Sequence, residues 1–188
     1  MKKFISLIFL ISLLALTACG GEEASPTSEV IPVPLDSEVS FSNEDFSVTA
    51  YEMVPIESKI LVDRELTLKE GEADQYQLYE IYLRYTNTSG RETLLKYRDL
   101  QIAPAGEEID VDRALVVGYC EPVSASSAES PAWCGYAPPP PKPNTYQIQP
   151  ELHVPSPKIP DGSEAEMILI IKLDQTLNEI ELGFAPEE

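Results

Sequence analysis

The sequence predicts an all-β protein, a sandwich or barrel of about seven or eight short antiparallel strands. Segments with a two-residue alternation of apolar and polar side chains recur, turn-forming residues separate them, and no long amphipathic helix is present. The alternation is longest at 77–87. One face of that segment is apolar and aromatic: Tyr79, Ile81, Leu83 and Tyr85. The other face is more polar: Leu78, Glu80, Tyr82, Arg84 and Thr86. We therefore expect 77–87 to be a central strand with one buried side.

The other strands follow in chain order. We expect an edge strand at 37–41, a strand at 46–54 that Pro55 ends, and a single strand at 59–68. In 46–54 we place Phe46, Val48 and Ala50 on one face, and Tyr51 and Met53 on the other with Ser47 and Thr49. After a turn at 87–90, strands are predicted at 93–102, 107–117, 165–173 and 180–184. The third of these is apolar on both faces apart from Glu166 and Lys172.

Residues 1–18 have the layout of a signal peptide: two lysines, an apolar run at 4–16, and small residues before Cys19. The run is too short to cross a bilayer, which takes about 20 residues. The pattern Leu-Thr-Ala-Cys resembles the lipobox of bacterial lipoproteins. This resemblance implies that Cys19 becomes the mature N-terminus and carries lipid, such as palmitate, on its sulfur and amine. The alternative is a soluble secreted protein that is cut nearby.

The predicted domain organisation follows from the anchor. Residues 19–39 are rich in Gly, Glu, Ser, Pro and Thr and are interpreted as a flexible tether. Residues 40–188 form one β-domain, held outside the cytoplasm at a membrane of the bacterial cell envelope.

The charge balance is strongly acidic, with 13 basic and 32 acidic residues and a formal net charge of −19. Removing 1–18, which contains two lysines and no acids, changes −19 to −21. This charge argues against nucleic acid and anionic lipid surfaces as partners. Solubility, a cationic ligand or calcium would each account for it. Glu108, Asp110 and Asp112 would line one side of the predicted strand 107–117, but their spacing matches no known calcium loop, and we predict no metal or cofactor.

Cys120 and Cys134 remain after Cys19 is lipidated, and in a thiol-poor compartment they should form a disulfide. A metal site is the alternative, although no CxxC or histidine partner accompanies them. They lie in an insertion at about 118–160, in which ten of the seventeen prolines fall between 131 and 160. Such a stretch cannot be interior sheet.

The insertion also contains the residues that we select as binding candidates: Trp133, Tyr136, Pro138, Pro139, Pro140 and Pro141. The tetraproline should adopt polyproline II, and aromatic residues commonly anchor interfaces. Alternatively, the rings pack beneath their own prolines and close one end of the fold.

Several segments together resemble the telokin-like, immunoglobulin-fold domain of many bacterial lipoproteins: strand 46–54, strand 79–87 ending in Asn87, Leu100-Gln-Ile102 with Gly106, and Pro160-Asp-Gly-Ser163 before strands 167–173 and 180–184. The resemblance covers about 40–186 and implies an immunoglobulin-like antiparallel β-sandwich. The proline-rich insertion departs from it. The family is largely uncharacterised and implies no catalytic residues.

Sequence signals for catalysis are weak. His153 is the only histidine, and no Gly-x-Ser-x-Gly, phosphate-binding loop or His-Glu-x-x-His is present. We therefore predict a non-catalytic binding or scaffolding module whose partner is an envelope protein, a polymer or a small ligand. The alternative is a small envelope hydrolase.

Overall fold

The computed structural model describes residues 27–61, 65–95, 100–108, 110, 112–121, 133–136 and 158–184. These residues contain thirteen strands and no helix. The strands are β1 (Ser28–Pro32), β2 (Val39–Ser42), β3 (Phe46–Ile56), β4 (Ser58–Ile60), β5 (Glu65–Thr67), β6 (Tyr76–Asn87), β7 (Thr93–Leu94), β8 (Leu100–Pro104), β9 (Ala114–Glu121), β10 (Trp133–Tyr136), β11 (Lys158–Ile159), β12 (Glu164–Asp174) and β13 (Glu179–Phe184). Among the residues described, no helical segment has the length and apolarity that a bilayer crossing requires.

Two antiparallel sheets face each other. The large sheet has the strand order β10-β9-β12-β6-β3-β2, and the small sheet has the order β1-β13-β8. Buried side chains from both sheets form one core, with Ile102 and Leu182 of the small sheet among Val48 and Leu169 of the large one. The predicted all-β sandwich is confirmed, whereas its immunoglobulin-like subtype stays a prediction.

The predicted central strand is β6, which pairs with β12 on one side and β3 on the other. Its apolar face enters the core, where Ile81, Leu83 and Tyr85 are fully buried. At its end, buried Asn87 shapes the predicted turn. The Asn87 side-chain amide donates to the carbonyls of Arg91 (2.6 Å) and Ile159 (2.7 Å), and its oxygen accepts the amide of Ser89 (2.9 Å).

The structure corrects the predicted tether. Residues 27–39 belong to the fold, because β1 pairs along its length with β13 and buries Ile31 completely. At Gly183 of β13 this pairing is close enough that an added Cβ would lie 2.6 Å from the Cα of Ser28. Glycine therefore permits the approach of β1.

Four predicted strand boundaries were wrong. Pro55 does not end β3, since it still pairs with Tyr79 of β6; on its other side β2 accompanies β3 only as far as Ala50, so no described strand there requires the missing N–H. Segment 59–68 is two strands, the β4–β5 hairpin. Segment 93–102 divides between β7, which pairs with β11, and β8, which pairs with β13. Strand β9 runs to Glu121, beyond its predicted end at residue 117. Residues 118–121 are therefore interior sheet, contrary to the prediction for the insertion, because edge strand β10 of the insertion pairs beside them.

The predicted strand at 107–117 is also wrong in its first half. Asp110 lies in a turn, where its carbonyl accepts the amides of Arg113 (3.0 Å) and Ala114 (2.9 Å) and its carboxylate accepts the amide of Asp112 (3.0 Å). Glu108, Asp110 and Asp112 therefore do not line one side of a strand.

The β4–β5 hairpin is associated with the outer face of the large sheet, which is the face turned away from the small sheet. There Leu61, just after β4, is buried in a small cluster with Ile170 and Cys120, and Leu66 packs against that cluster. This second cluster covers part of the outer face with apolar contacts.

Candidate functional site

The outer face of the large sheet also carries a group of polar and aromatic residues on β3, β6 and β12. We call this group the polar face: Tyr51, Glu52, Tyr82, Arg84, Glu164 and Glu166. The strand register places Arg84 opposite Glu166, and Glu52 opposite Tyr82. The group is therefore assembled across three neighbouring strands.

A β-bulge at Tyr51 determines which side chains reach the polar face. Ala50 pairs with Leu83 and Glu52 pairs with Tyr82, so Tyr51 is an extra residue in β3. The bulge shifts the alternation by one position. As a result Met53 is buried in the core, which corrects its predicted place on the outer face. Tyr51 and Glu52 are both left on the partly exposed side.

Three contacts fix the Tyr51 side chain. Its ring centroid is 6.1 Å from that of Tyr82, and the two planes are tilted by 54°. The Arg84 guanidinium carbon lies 5.0 Å from the Tyr51 ring centroid, within range of a cation–π interaction. The pKa of Tyr51 is raised, first by burial and then by the nearby negative charge of the Glu166 carboxylate. The hydroxyl is therefore protonated at neutral pH.

Tyr82 is connected to a buried carboxylate. Its hydroxyl donates to Glu80 Oε2 at 2.8 Å, and Lys59 Nζ of the hairpin lies 2.7 Å from Glu80 Oε1. Glu80 is only 6% exposed. Burial, followed by the hydrogen bond and charge of Glu80, raises the pKa of Tyr82 to about 12. Both carboxylate oxygens are thus used internally, and they tie the hairpin to the sheet.

The polar face is net negative. Its three carboxylates, at Glu52, Glu164 and Glu166, are exposed, whereas its one cation, Arg84, is half-buried against Tyr51. The Lys59 and Glu80 charges beside it offset each other. An anionic ligand would therefore be repelled here, and hydroxyl-rich or cationic ligands are favoured.

A concavity with a volume of about 540 Å³ lies on the outer side of the small sheet. Ser28 and Glu181 contribute to its lining, and the Ser28 hydroxyl donates to Glu181 Oε1 at 2.6 Å. A serine bonded directly to a carboxylate lacks the intervening base that activates a nucleophile. This arrangement is that of a structural hydrogen bond.

The predicted disulfide is confirmed, since the sulfurs of Cys120 and Cys134 are 2.13 Å apart. The two residues are direct cross-strand partners in β9 and β10. The bridge therefore fastens an edge strand to the sheet, next to the small apolar cluster.

The predicted binding residues are only partly described. In the backbone register, Trp133 pairs with Glu121 and Tyr136 pairs with Gly118. Pro138, Pro139, Pro140 and Pro141 lie outside the described residues, as do Cys19 and His153. Within the described ranges, no group of three or more His, Cys, Asp or Glu residues is arranged to hold a metal ion.

The polar face was not among the predicted sites. Tyr82 and Arg84 were placed on the polar side of β6, but this side alone did not distinguish a site from an ordinary solvated face. The change of phase between Ala50 and Met53, which marks the bulge, was the signal that could have located Tyr51.

Comparisons with protein-family models, curated proteins and solved structures each found no match. The resemblance to a telokin-like domain therefore stays a prediction.

Proposed function

We propose that this protein is a lipoprotein, anchored through lipid on Cys19 at an extracytoplasmic membrane face of the bacterial cell envelope. We propose further that its β-sandwich is a non-catalytic binding or scaffolding module, with an envelope protein, a polymer or a small ligand as partner. The leader at 1–18 and its lipobox-like end support the anchor.

The observation that supports a binding role is the ordered aromatic and charged group on the polar face. Tyr51 is held by Arg84 and Glu166, and Tyr82 is held by Glu80. Tyrosine and arginine are the residue types most often responsible for binding energy. Side chains that are already fixed lose little conformational freedom when a partner binds.

The same geometry favours binding over hydrolysis at this face. The hydroxyls of Tyr51 and Tyr82 have raised pKa values, and that of Tyr82 donates to the Glu80 carboxylate, so both are poor nucleophiles at neutral pH. The small envelope hydrolase that the sequence left open gains no support here.

Cross-linking of the anchored protein in its own cells, followed by mass spectrometry, tests the binding role. We expect a captured partner that is lost when Tyr51 and Tyr82 are both replaced by alanine. Tyr76→Ala is the matched control, because Tyr76 is also a half-buried tyrosine with a cation, Lys172, 4.3 Å from its ring centroid. A partner captured equally by all three proteins would place the contact elsewhere.

Two further variants separate the remaining parts of the proposal. Cys19→Ala should abolish palmitate incorporation and release the protein from the membrane fraction; continued lipid labelling would contradict the anchor.

Replacing Trp133 and Tyr136 together by alanine tests the insertion as a second contact surface. A lost partner with an unchanged melting temperature would support it, whereas a large loss of stability would show that these rings serve the fold.

A further inference from the structure

We propose that the polar face binds a basic polypeptide segment, an extended chain with lysine or arginine at alternating positions. This inference rests on the proposed binding function and names the chemistry of its partner. The charge of the face, the spacing of its carboxylates and the use of tyrosine rings as cation acceptors carry it.

The charge of the polar face favours a cationic partner. The polar face has three exposed carboxylates and one half-buried cation. It belongs to a chain with a formal net charge of −19. A cationic partner is therefore attracted at long range as well as at contact, while an anionic polymer is repelled.

The spacing of the carboxylates suits an extended chain. Glu164 and Glu166 are two residues apart on β12, so their side chains leave the same face about 7 Å apart. Alternate side chains of an extended peptide have the same spacing. Glu52 lies two strands away on β3, across β6, about 10 Å from β12. A basic strand along β12 would meet two carboxylates, and a longer side chain could extend toward the third.

The tyrosines of this protein already accept cations. Arg84 lies over the ring of Tyr51, and Lys172 lies over the ring of Tyr76. Tyr82 lies beside Tyr51 and is half-buried, with Glu52 among the charges that raise its pKa. An incoming lysine or arginine would find this ring and a carboxylate side by side, which is the combination that holds organic cations.

The test uses the full chain in nanodiscs of phosphatidylcholine and a fluorescent peptide of alternating lysine and serine, with binding followed by anisotropy. Replacing Glu52, Glu164 and Glu166 together by glutamine should weaken binding about tenfold or more. The matched control replaces three exposed glutamates away from the polar face, Glu38, Glu70 and Glu179, and removes the same charge. This control should weaken binding less than threefold.

The two triple variants test whether the carboxylates of the polar face hold the basic peptide. Equal losses in the two triple variants, or no binding by the unaltered protein, would overturn the inference. Urea midpoints of both variants within experimental error of the unaltered protein exclude misfolding as the cause. If cross-linking captures a partner through Tyr51 and Tyr82 while the basic peptide does not bind, the binding module stands and its basic partner is wrong. Binding of a neutral oligosaccharide instead would have the same meaning.

Discussion

The ion pair between Lys59 and Glu80 should be a measurable part of stability, because it connects the β4–β5 hairpin to the large sheet. The Lys59 side chain is 28% exposed, while Glu80 is almost fully buried, and their charged atoms are 2.7 Å apart. Removing one partner of a fully buried pair costs about 3–5 kcal/mol, whereas exposed pairs contribute about 0.2–1 kcal/mol. We expect Lys59→Met to cost about 2 kcal/mol, an intermediate value, since water still reaches the lysine.

A double-mutant cycle with Lys59→Met and Glu80→Gln isolates the coupling between the two side chains. Glutamine keeps an acceptor for the Tyr82 hydroxyl, so that hydrogen bond is preserved. The control cycle uses Lys158 and Glu92, which are 3.7 Å apart and 63% and 57% exposed.

Unfolding in urea should give about 1–2 kcal/mol of coupling for the first pair and below about 0.5 kcal/mol for the control. Equally small coupling in both cycles would show that the hairpin is held by its apolar contacts alone, and the argument from burial would fail.

Three further predictions concern the fold. Gly183→Ala should destabilise the protein by about 1–3 kcal/mol, because the Cβ of the alanine would collide with Ser28. The urea midpoint measures this loss. Replacing Cys120 and Cys134 by serine should cost about 3 kcal/mol by loop entropy, and an unchanged midpoint would contradict this. The pKa of Tyr82 is about 12 in the folded state, against an ordinary value of 10.0. Its contribution to stability is therefore complete below pH 10 and is lost as the pH rises to 12. In unfolding measured as a function of pH, Tyr82→Phe should reduce this loss of stability at alkaline pH.

The long regular strands could be predicted from sequence because one periodicity ran through each of them. Strand β6 alternates without interruption, and the middle of β12 is apolar on both faces because the core covers one side of it and the hairpin cluster covers Ile168 and Ile170 on the other. Strand β1 could not be predicted in this way. Its one fully buried apolar residue, Ile31, stands next to Pro32 in a stretch of linker-like composition, and only pairing with β13 orders it.

The polar face depends on tertiary structure that no local pattern contains. Glu80 has the sequence environment of a solvent-facing residue, yet the hairpin buries it and supplies Lys59 as its partner. The bulge at Tyr51 places that ring beside Tyr82, from a strand more than twenty residues away in sequence. The disulfide could be predicted because the prediction required only the cysteine count and the thiol-poor compartment that the leader at 1–18 predicts.

The early start of β1 limits how far the proposed lipoprotein can reach. Only seven residues, which make eight Cα–Cα steps, lie between Cys19 and Thr27, whose carbonyl accepts the amide of Phe184 at 2.9 Å. Fully extended, eight such steps of about 3.5 Å span at most about 28 Å, less than the roughly 30 Å thickness of a bilayer's hydrocarbon core. Phe184 in turn packs against Phe41, with ring centroids 5.5 Å apart, so Thr27 is attached to the buried part of the sandwich. If Cys19 carries the proposed lipid, the sandwich is confined close to its membrane, and a partner would have to be embedded there or approach that surface.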